Sequence, residues 1–237
     1  MKYLLFIFTC FLLACNTNSE PDTQLVATPP FWKDIQNFKK QDSIHFPPKN
    51  AILFIGSSSF TKWTDVQDYF PGYTIINRGF GGSTLLDQIR YANDIIFPYK
   101  PKQIVIYCGE NDLASSDTVT AEIVVDRFKQ LYKMIREKTE APIAFVSIKP
   151  SPSRRHLLAK MRLANLSIMV FSPKQDSMAL LRSHIAPAPL SFIDVHWKML
   201  NKAGEPIPEI FLNDSLHMNA KGYAIWQKEI QPYLIKD

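Results

Sequence analysis

Five short apolar runs punctuate the chain: Ala51–Ile55, Tyr73–Asn77, Gln103–Cys108, Pro142–Ile148 and Leu190–Val195. The first is apolar at every position, as a strand buried on both faces must be. Longer segments between and after the runs carry apolar residues three and four apart. Thr84–Phe97 places Leu85, Leu86, Ile89, Ala92, Ile95 and Ile96 at helical spacing, and Pro98 and Pro101 close it. Thr120–Thr139 repeats the pattern with Ile123, Val124, Phe128, Leu131, Met134 and Ile135. Arg154–Phe171 reads as a helix that could continue past Pro173 to His184, and the last helix spans Ala220–Ile230. This alternation predicts an α/β domain with a parallel sheet covered by helices on both faces. Ligands bind such sheets at the carboxyl ends of the strands. That rule points to Gly56–Ser59, Asn77–Ser83, Gly109–Leu113, Lys149–Ser153 and the residues from Asp194 onward.

Four of the polar groupings at or near those ends are suggestive. Gly56-Ser57-Ser58-Ser59 could expose a serine hydroxyl at a strand-to-helix turn, with the positive end of the helix dipole behind it; serines are also common helix caps. Asn77-Arg78-Gly79-Phe80-Gly81-Gly82-Ser83 has the glycine content of a loop that brings bare backbone N–H groups close to a ligand, or of a tight turn. Gly109-Glu110-Asn111-Asp112 offers an amide with two N–H donors, or a turn. Asp214-Ser215-Leu216-His217 spaces a carboxylate to accept from one ring nitrogen, leaving the other as a base, though a solvated loop histidine fits equally. Taken singly, each grouping has an ordinary explanation. Their joint occurrence in this order, at one edge of one sheet, does not.

In these four blocks the sequence resembles the SGNH, or GDSL-type, hydrolase family, over about Ala51 to Tyr233. The resemblance implies a flavodoxin-like three-layer α/β/α sandwich with a five-stranded parallel sheet. It implies Ser58 as nucleophile, His217 as base and Asp214 as the acid that orients it. The oxyanion hole it implies consists of the Ser58 N–H, the Gly82 N–H and the Asn111 amide, with Gly81 as the second choice for the glycine. No metal and no cofactor are implied. The family's first block falls on Gly56–Ser59 with Ser57 in place of the usual aspartate and Ser59 in place of the apolar residue. The implied activity is cleavage of carboxylic esters through an acyl-enzyme, with small-molecule or glycan esters as substrates. The expectation is removal of acetyl or other short acyl groups from carbohydrate; the alternatives are a lipase or lysophospholipase, or a non-catalytic glycan-binding lipoprotein of the same fold. Phe60, Phe80, Tyr107 and Met218 adjoin the motifs as either pocket wall or core. Lys149 and Ser151 to Arg155 form either a polar substrate contact or a solvated loop.

The N-terminus carries one cation, Lys2, then an apolar run from Tyr3 to Ala14. That run is too short to span a bilayer, which takes about 20 residues, and has the form of a secretory signal. Leu12-Leu13-Ala14-Cys15 resembles a bacterial lipobox, which predicts a signal over 1–14, a lipidated Cys15, a flexible tether over 15–30 and a domain over 31–237. The expected location is that of an exported lipoprotein, held at a membrane by its N-terminal lipid alone. Of three cysteines, only Cys108 would remain unmodified in the mature domain, and its apolar setting predicts a buried small residue rather than a reactive thiol. The formal net charge of +5 is spread over scattered basic residues, which does not point to nucleic acid. The five histidines are dispersed, with no pair at metal-ligand spacing.

Overall fold

The computed structural model describes residues 28–171 and 190–237. The expected signal, Cys15 and the continuation toward His184 lie outside these residues. Five strands form one all-parallel sheet: β1 (Ile52–Gly56), β2 (Ile75–Gly79), β3 (Gln103–Tyr107), β4 (Ile143–Val146) and β5 (Leu190–Ile193), in the order β2-β1-β3-β4-β5. This is the flavodoxin-like order, and the chain reverses its direction of winding between β1 and β3. The three-layer α/β/α sandwich expected of the sequence is the fold of the molecule.

Alternation within each strand divides the core in two. Leu53, Ile55, Ile104, Ile106, Ile143 and Phe145 pack on one face, beneath α1 (Trp32–Ile44), α4 (Leu85–Ile95), α6 (Ala121–Arg136) and α7 (Leu158–Val170), the short α5 (Glu110–Ala114) following β3. Ile52, Phe54, Val105, Tyr107, Ala144 and Val146 pack on the other. There the short turns α2 (Ser58–Thr61) and α3 (Val66–Tyr69) and the final helix α8 (Ala220–Ile230) supply Phe60, Trp63, Tyr223 and Trp226. A strand buried on both faces has no polar side to show, which is why β1 and β4 read as unbroken apolar runs, and β3 as one after Gln103. Helices α4 and α6 begin where the sequence signals it. Thr84 and Asp87 close a capping box at the start of α4, and the Thr120 hydroxyl accepts from the Ile123 N–H at the start of α6.

Three features differ from the sequence expectation. β2 lies two residues further on, ending at Gly79, because Arg78 is a strand residue buried by pairing with Asp42 of α1 and by donating to Tyr99 Oη at 2.7 Å. Helix α1 was not foreseen: among its residues only Ile35 is fully buried, so its apolar stripe is faint. The third helix starts at Leu158 rather than Arg154, after a 3₁₀ stretch at Pro152–Leu157 that Pro152 opens. The chain joins the domain through residues 28–31. The Pro30 carbonyl accepts from Tyr91 Oη, and the Phe31 ring packs edge-on against Phe80 at 5.3 Å.

Candidate active site

The register of the sheet sets the site. Gly56 stands level with Gly79 of β2 and Tyr107 of β3, so the loops that follow these strands leave side by side. Gly56 is required where it stands: its φ is +143°, and a Cβ there would lie 1.9 Å from the Tyr107 carbonyl oxygen. The chain then makes the single turn α2. One turn carries little of the helix dipole expected behind the serines. Ser57 and Ser59 are each 2 % exposed, whereas Ser58 is half-buried and opens to solvent. As first residue of its turn, Ser58 has no helical partner for its N–H, and neither it nor the Gly82 N–H is bonded among the described residues.

The glycine loop lies against this turn. The Phe80 N–H donates to the Gly56 carbonyl at 2.9 Å, and the Ser83 hydroxyl shares its hydrogen between the Phe80 carbonyl at 2.8 Å and the Gly56 carbonyl at 3.2 Å. Gly82 has φ +85°, in the region that favours glycine. A Cβ on Gly81 would come within 3.9 Å of Ser58 Cβ.

The third block fixes the second. Asn111 Nδ2 donates to the Ser83 carbonyl at 3.0 Å, and Asp112 Oδ2 accepts from the Leu85 N–H at 3.0 Å. Asp112 Oδ1 accepts from Arg127 at 2.8 Å. Burial pushes the Asp112 carboxyl up, and Arg127 offsets part of this. The orientation of the Asn111 amide is unambiguous. Arg154, which can only donate, bonds its Oδ1 at 3.0 Å, while the Ser83 carbonyl, which can only accept, takes one Nδ2 hydrogen. One N–H remains for a ligand. Cys108 beside this loop is buried, its thiol pushed well above the usual range by desolvation.

The fourth block forms a loop closed by the Leu212 N–H bond to the His217 carbonyl, 2.7 Å, and by a bridge between Phe211 and Met218. Asp214 Oδ1 accepts from the N–H groups of Leu216 and His217, at 3.0 and 2.9 Å, and Oδ2 accepts from His217 Nδ1 at 2.6 Å. The His217 ring bond and these two backbone donors hold the Asp214 carboxyl well below the usual range. A carboxylate can only accept, so the ring hydrogen sits on Nδ1 and Nε2 is left with its lone pair. No hydrogen bond joins His217 to Ser58 in this arrangement. Tyr223 of α8, the helix that follows the histidine loop, donates its Oη hydrogen to the Ser59 carbonyl at 2.9 Å and ties that helix to the serine turn.

Behind these loops lies a charged cluster whose arrangement the sequence reading did not anticipate. Glu110, 4 % exposed, accepts from Tyr107 Oη at 2.6 Å, Lys149 Nζ at 3.0 Å and Ser151 Oγ at 3.2 Å, and Arg154 Nη1 lies 3.3 Å away. Burial alone would raise the Glu110 carboxyl; Lys149, Arg154 and Tyr107 outweigh it and hold the group below its ordinary range. Lys149 is therefore neither a solvated loop residue nor a substrate contact: it is 1 % exposed and also donates to the Leu216 carbonyl at 2.9 Å. Glu110 and Lys149 each follow a fully buried strand, and that juxtaposition is the sequence signal that could have paired them. Phe60, Phe80, Tyr107 and Met218 are all core residues, at most 2 % exposed. A cavity of about 260 Å³ lined by Arg162, Asn165, Met169, His196 and Trp197 lies between α7 and β5, lined by none of the four blocks.

No curated protein matches the chain. Several solved structures share its fold. A candidate acylhydrolase from Bacteroides fragilis superposes with a TM-score of 0.66 at 18 % identity, covering 85 % of this chain and 96 % of that one. A GDSL-like lipase from Bacteroides thetaiotaomicron gives 0.63 at 16 % identity, covering 84 % and 96 %. A catalytic mutant of an acetylxylan esterase from Geobacillus stearothermophilus gives 0.55 at 15 % identity, covering 78 % and 94 %. The family model described as GDSL-like Lipase/Acylhydrolase matches residues 54–225, most of the chain and all four blocks, and the protein belongs to that family.

Proposed function

We propose that the protein is a serine hydrolase that cleaves carboxylic esters through an acyl-enzyme. The observation that carries this reading is the Asp214–His217 bond of 2.6 Å, at the sheet edge where Ser58 is the one solvent-open serine of its turn. His217 Nε2 takes the Ser58 proton as Oγ attacks the ester carbonyl, and Asp214 orients the imidazole and stabilises its charged form. The oxyanion accepts from the Ser58 and Gly82 N–H groups and from Asn111 Nδ2. His217 returns the proton to the leaving alkoxide, then activates the water that hydrolyses the acyl-enzyme. Apo catalytic bonds are often long and tighten on binding substrate, which accommodates the missing Ser58–His217 bond.

Short acyl groups, acetyl above all, on carbohydrate or other small esters fit best. Phe60, Phe80, Tyr107 and Met218, which adjoin the motifs, are spent on the core and are not available to a long acyl chain. The likeness in fold to an acetylxylan esterase agrees with this reading without carrying it. A fluorophosphonate probe and p-nitrophenyl esters of increasing chain length, with acetylated sugars alongside, form the test. Labelling together with a preference for the shortest esters is expected. No labelling of folded protein would leave the glycan-binding alternative, and a preference for long chains the lipase. We also propose export with lipidation at Cys15; loss of the membrane-associated fraction in Cys15→Ser is the expected result, and an unchanged distribution would exclude it.

A further inference from the structure

The ester-hydrolase reading gives no part to Arg154, although this side chain touches the proposed oxyanion amide directly. We infer that Arg154 is a positioning residue that orients and polarises Asn111. The inference rests on Asn111 being an oxyanion donor. Arg154 Nη1 donates to Asn111 Oδ1 at 3.0 Å while lying 3.3 Å from Glu110 Oε1. A bond from a cation to the amide oxygen draws electron density from the amide and makes its N–H groups stronger donors. One of these is committed to the Ser83 carbonyl at 3.0 Å; the other is the one offered to the oxyanion.

Glu110 faces two cations, Lys149 at 3.0 Å and Arg154 at 3.3 Å, and so neutralises only one of them; the Arg154 guanidinium lies on Asn111 itself, next to the place where negative charge develops. Local geometry supports the placement. Arg154 sits at a kink, φ −116° and ψ 28°, within the 3₁₀ stretch Pro152–Leu157. The Ser153 N–H donates to the Ser215 carbonyl at 3.0 Å, which secures this stretch to the histidine loop. Removing Arg154 does not orphan Glu110, which still accepts from Tyr107, Lys149 and Ser151. The fold therefore has no reason to fail with it.

A double-mutant cycle tests this, with p-nitrophenyl acetate as substrate and fluorophosphonate labelling and melting temperature recorded for every protein. Arg154→Met is expected to lower kcat about tenfold with KM little changed, a fraction of the 10²–10³ that loss of a whole oxyanion donor costs. In an Asn111→Ala background the same substitution is expected to cost almost nothing more. Arg154→Gln, which can still bond Oδ1 without the charge, is expected to fall between, and serves the same comparison should Arg154→Met melt below the assay temperature. An unchanged kcat, the same loss with and without Asn111, or a change in KM alone would overturn the inference. Wild-type protein that neither turns over nor labels would instead sink the ester-hydrolase reading beneath it.

Discussion

Asn111 donates to the Ser83 carbonyl at 3.0 Å, so the loop after β3 holds the loop after β2 in position. The same device recurs around the site. Ser83 holds Gly56 at 3.2 Å, Lys149 holds Leu216 at 2.9 Å, and Tyr223 returns from α8 to Ser59 at 2.9 Å. In each case a side chain from one loop or helix binds a backbone carbonyl of another. The positions of the reacting groups therefore depend on few side chains, and these can be removed singly.

The three adjacent serines separate by burial. Ser58→Ala is expected to reduce kcat on a short aryl ester by about 10⁴-fold or more. Ser57→Ala and Ser59→Ala, at buried sites beside it, are expected to keep most of the activity. Loss confined to the Ser57 variant would reassign the nucleophile.

Asp214 accepts from His217 Nδ1 and thereby sets the ring tautomer. Asp214→Asn presents an N–H to that nitrogen and favours the opposite tautomer, so kcat is expected to fall by up to about 10⁴-fold with KM little altered. Steady-state kinetics measure this directly, and wild-type kcat in the variant would remove Asp214 from the mechanism.

Glu110 is the carboxylate that Lys149 and Arg154 both face in a buried setting, and Glu110→Gln leaves both without it. A loss of about 3–5 kcal/mol is expected, which for a domain of this size lowers Tm by about 6–20 °C. The Glu110 carboxyl lies below its ordinary value in the folded protein. Its contribution is therefore complete above the unfolded carboxyl pKa of about 4.3 and is lost as pH falls below that. The Tm gap between wild type and Glu110→Gln should be full at pH 7 and narrow below about pH 4. A gap that stays constant on acidification would contradict the assignment.

Two glycines make opposite predictions. Gly56→Ala drives a methyl group to 1.9 Å from the Tyr107 carbonyl oxygen at φ +143°, and should cost about 3 kcal/mol or more. Gly81→Ala meets only Ser58 Cβ, at 3.9 Å, and should change stability by about 0.5 kcal/mol or less. Urea unfolding of both variants would decide; equal losses would mean that the carboxyl end of β1 relaxes more than this packing allows.

What could be read from the sequence was the part governed by local rules. Strands buried on both faces are mostly apolar, so β1, β3 and β4 stood out, and apolar residues three and four apart announced α4 and α6. The four blocks were legible because glycines, an asparagine and an Asp–His spacing are needed in that order. What stayed hidden depends on partners far along the chain. Arg78 looked like a loop residue because its strand position is tolerated only through Asp42, in a helix whose own apolar stripe is weak. Lys149 looked solvated because its counter-ion, Glu110, lies on another strand end 39 residues away. Nothing in the structure explains the preference for serine over aspartate at Ser57.

Phe31 touches the glycine loop from outside: its ring stacks edge-on with Phe80 and lies 3.7 Å from where a Cβ on Gly82 would be. The polypeptide thus enters the domain at the rim of the proposed oxyanion hole rather than on the far side of the sheet. Fifteen residues lie between Cys15 and Phe31, and the sixteen residue steps can reach at most about 55 Å. A surface holding Cys15 would bring esters displayed on that same surface within range of Ser58, making the length of the leash itself a filter on which substrates are met.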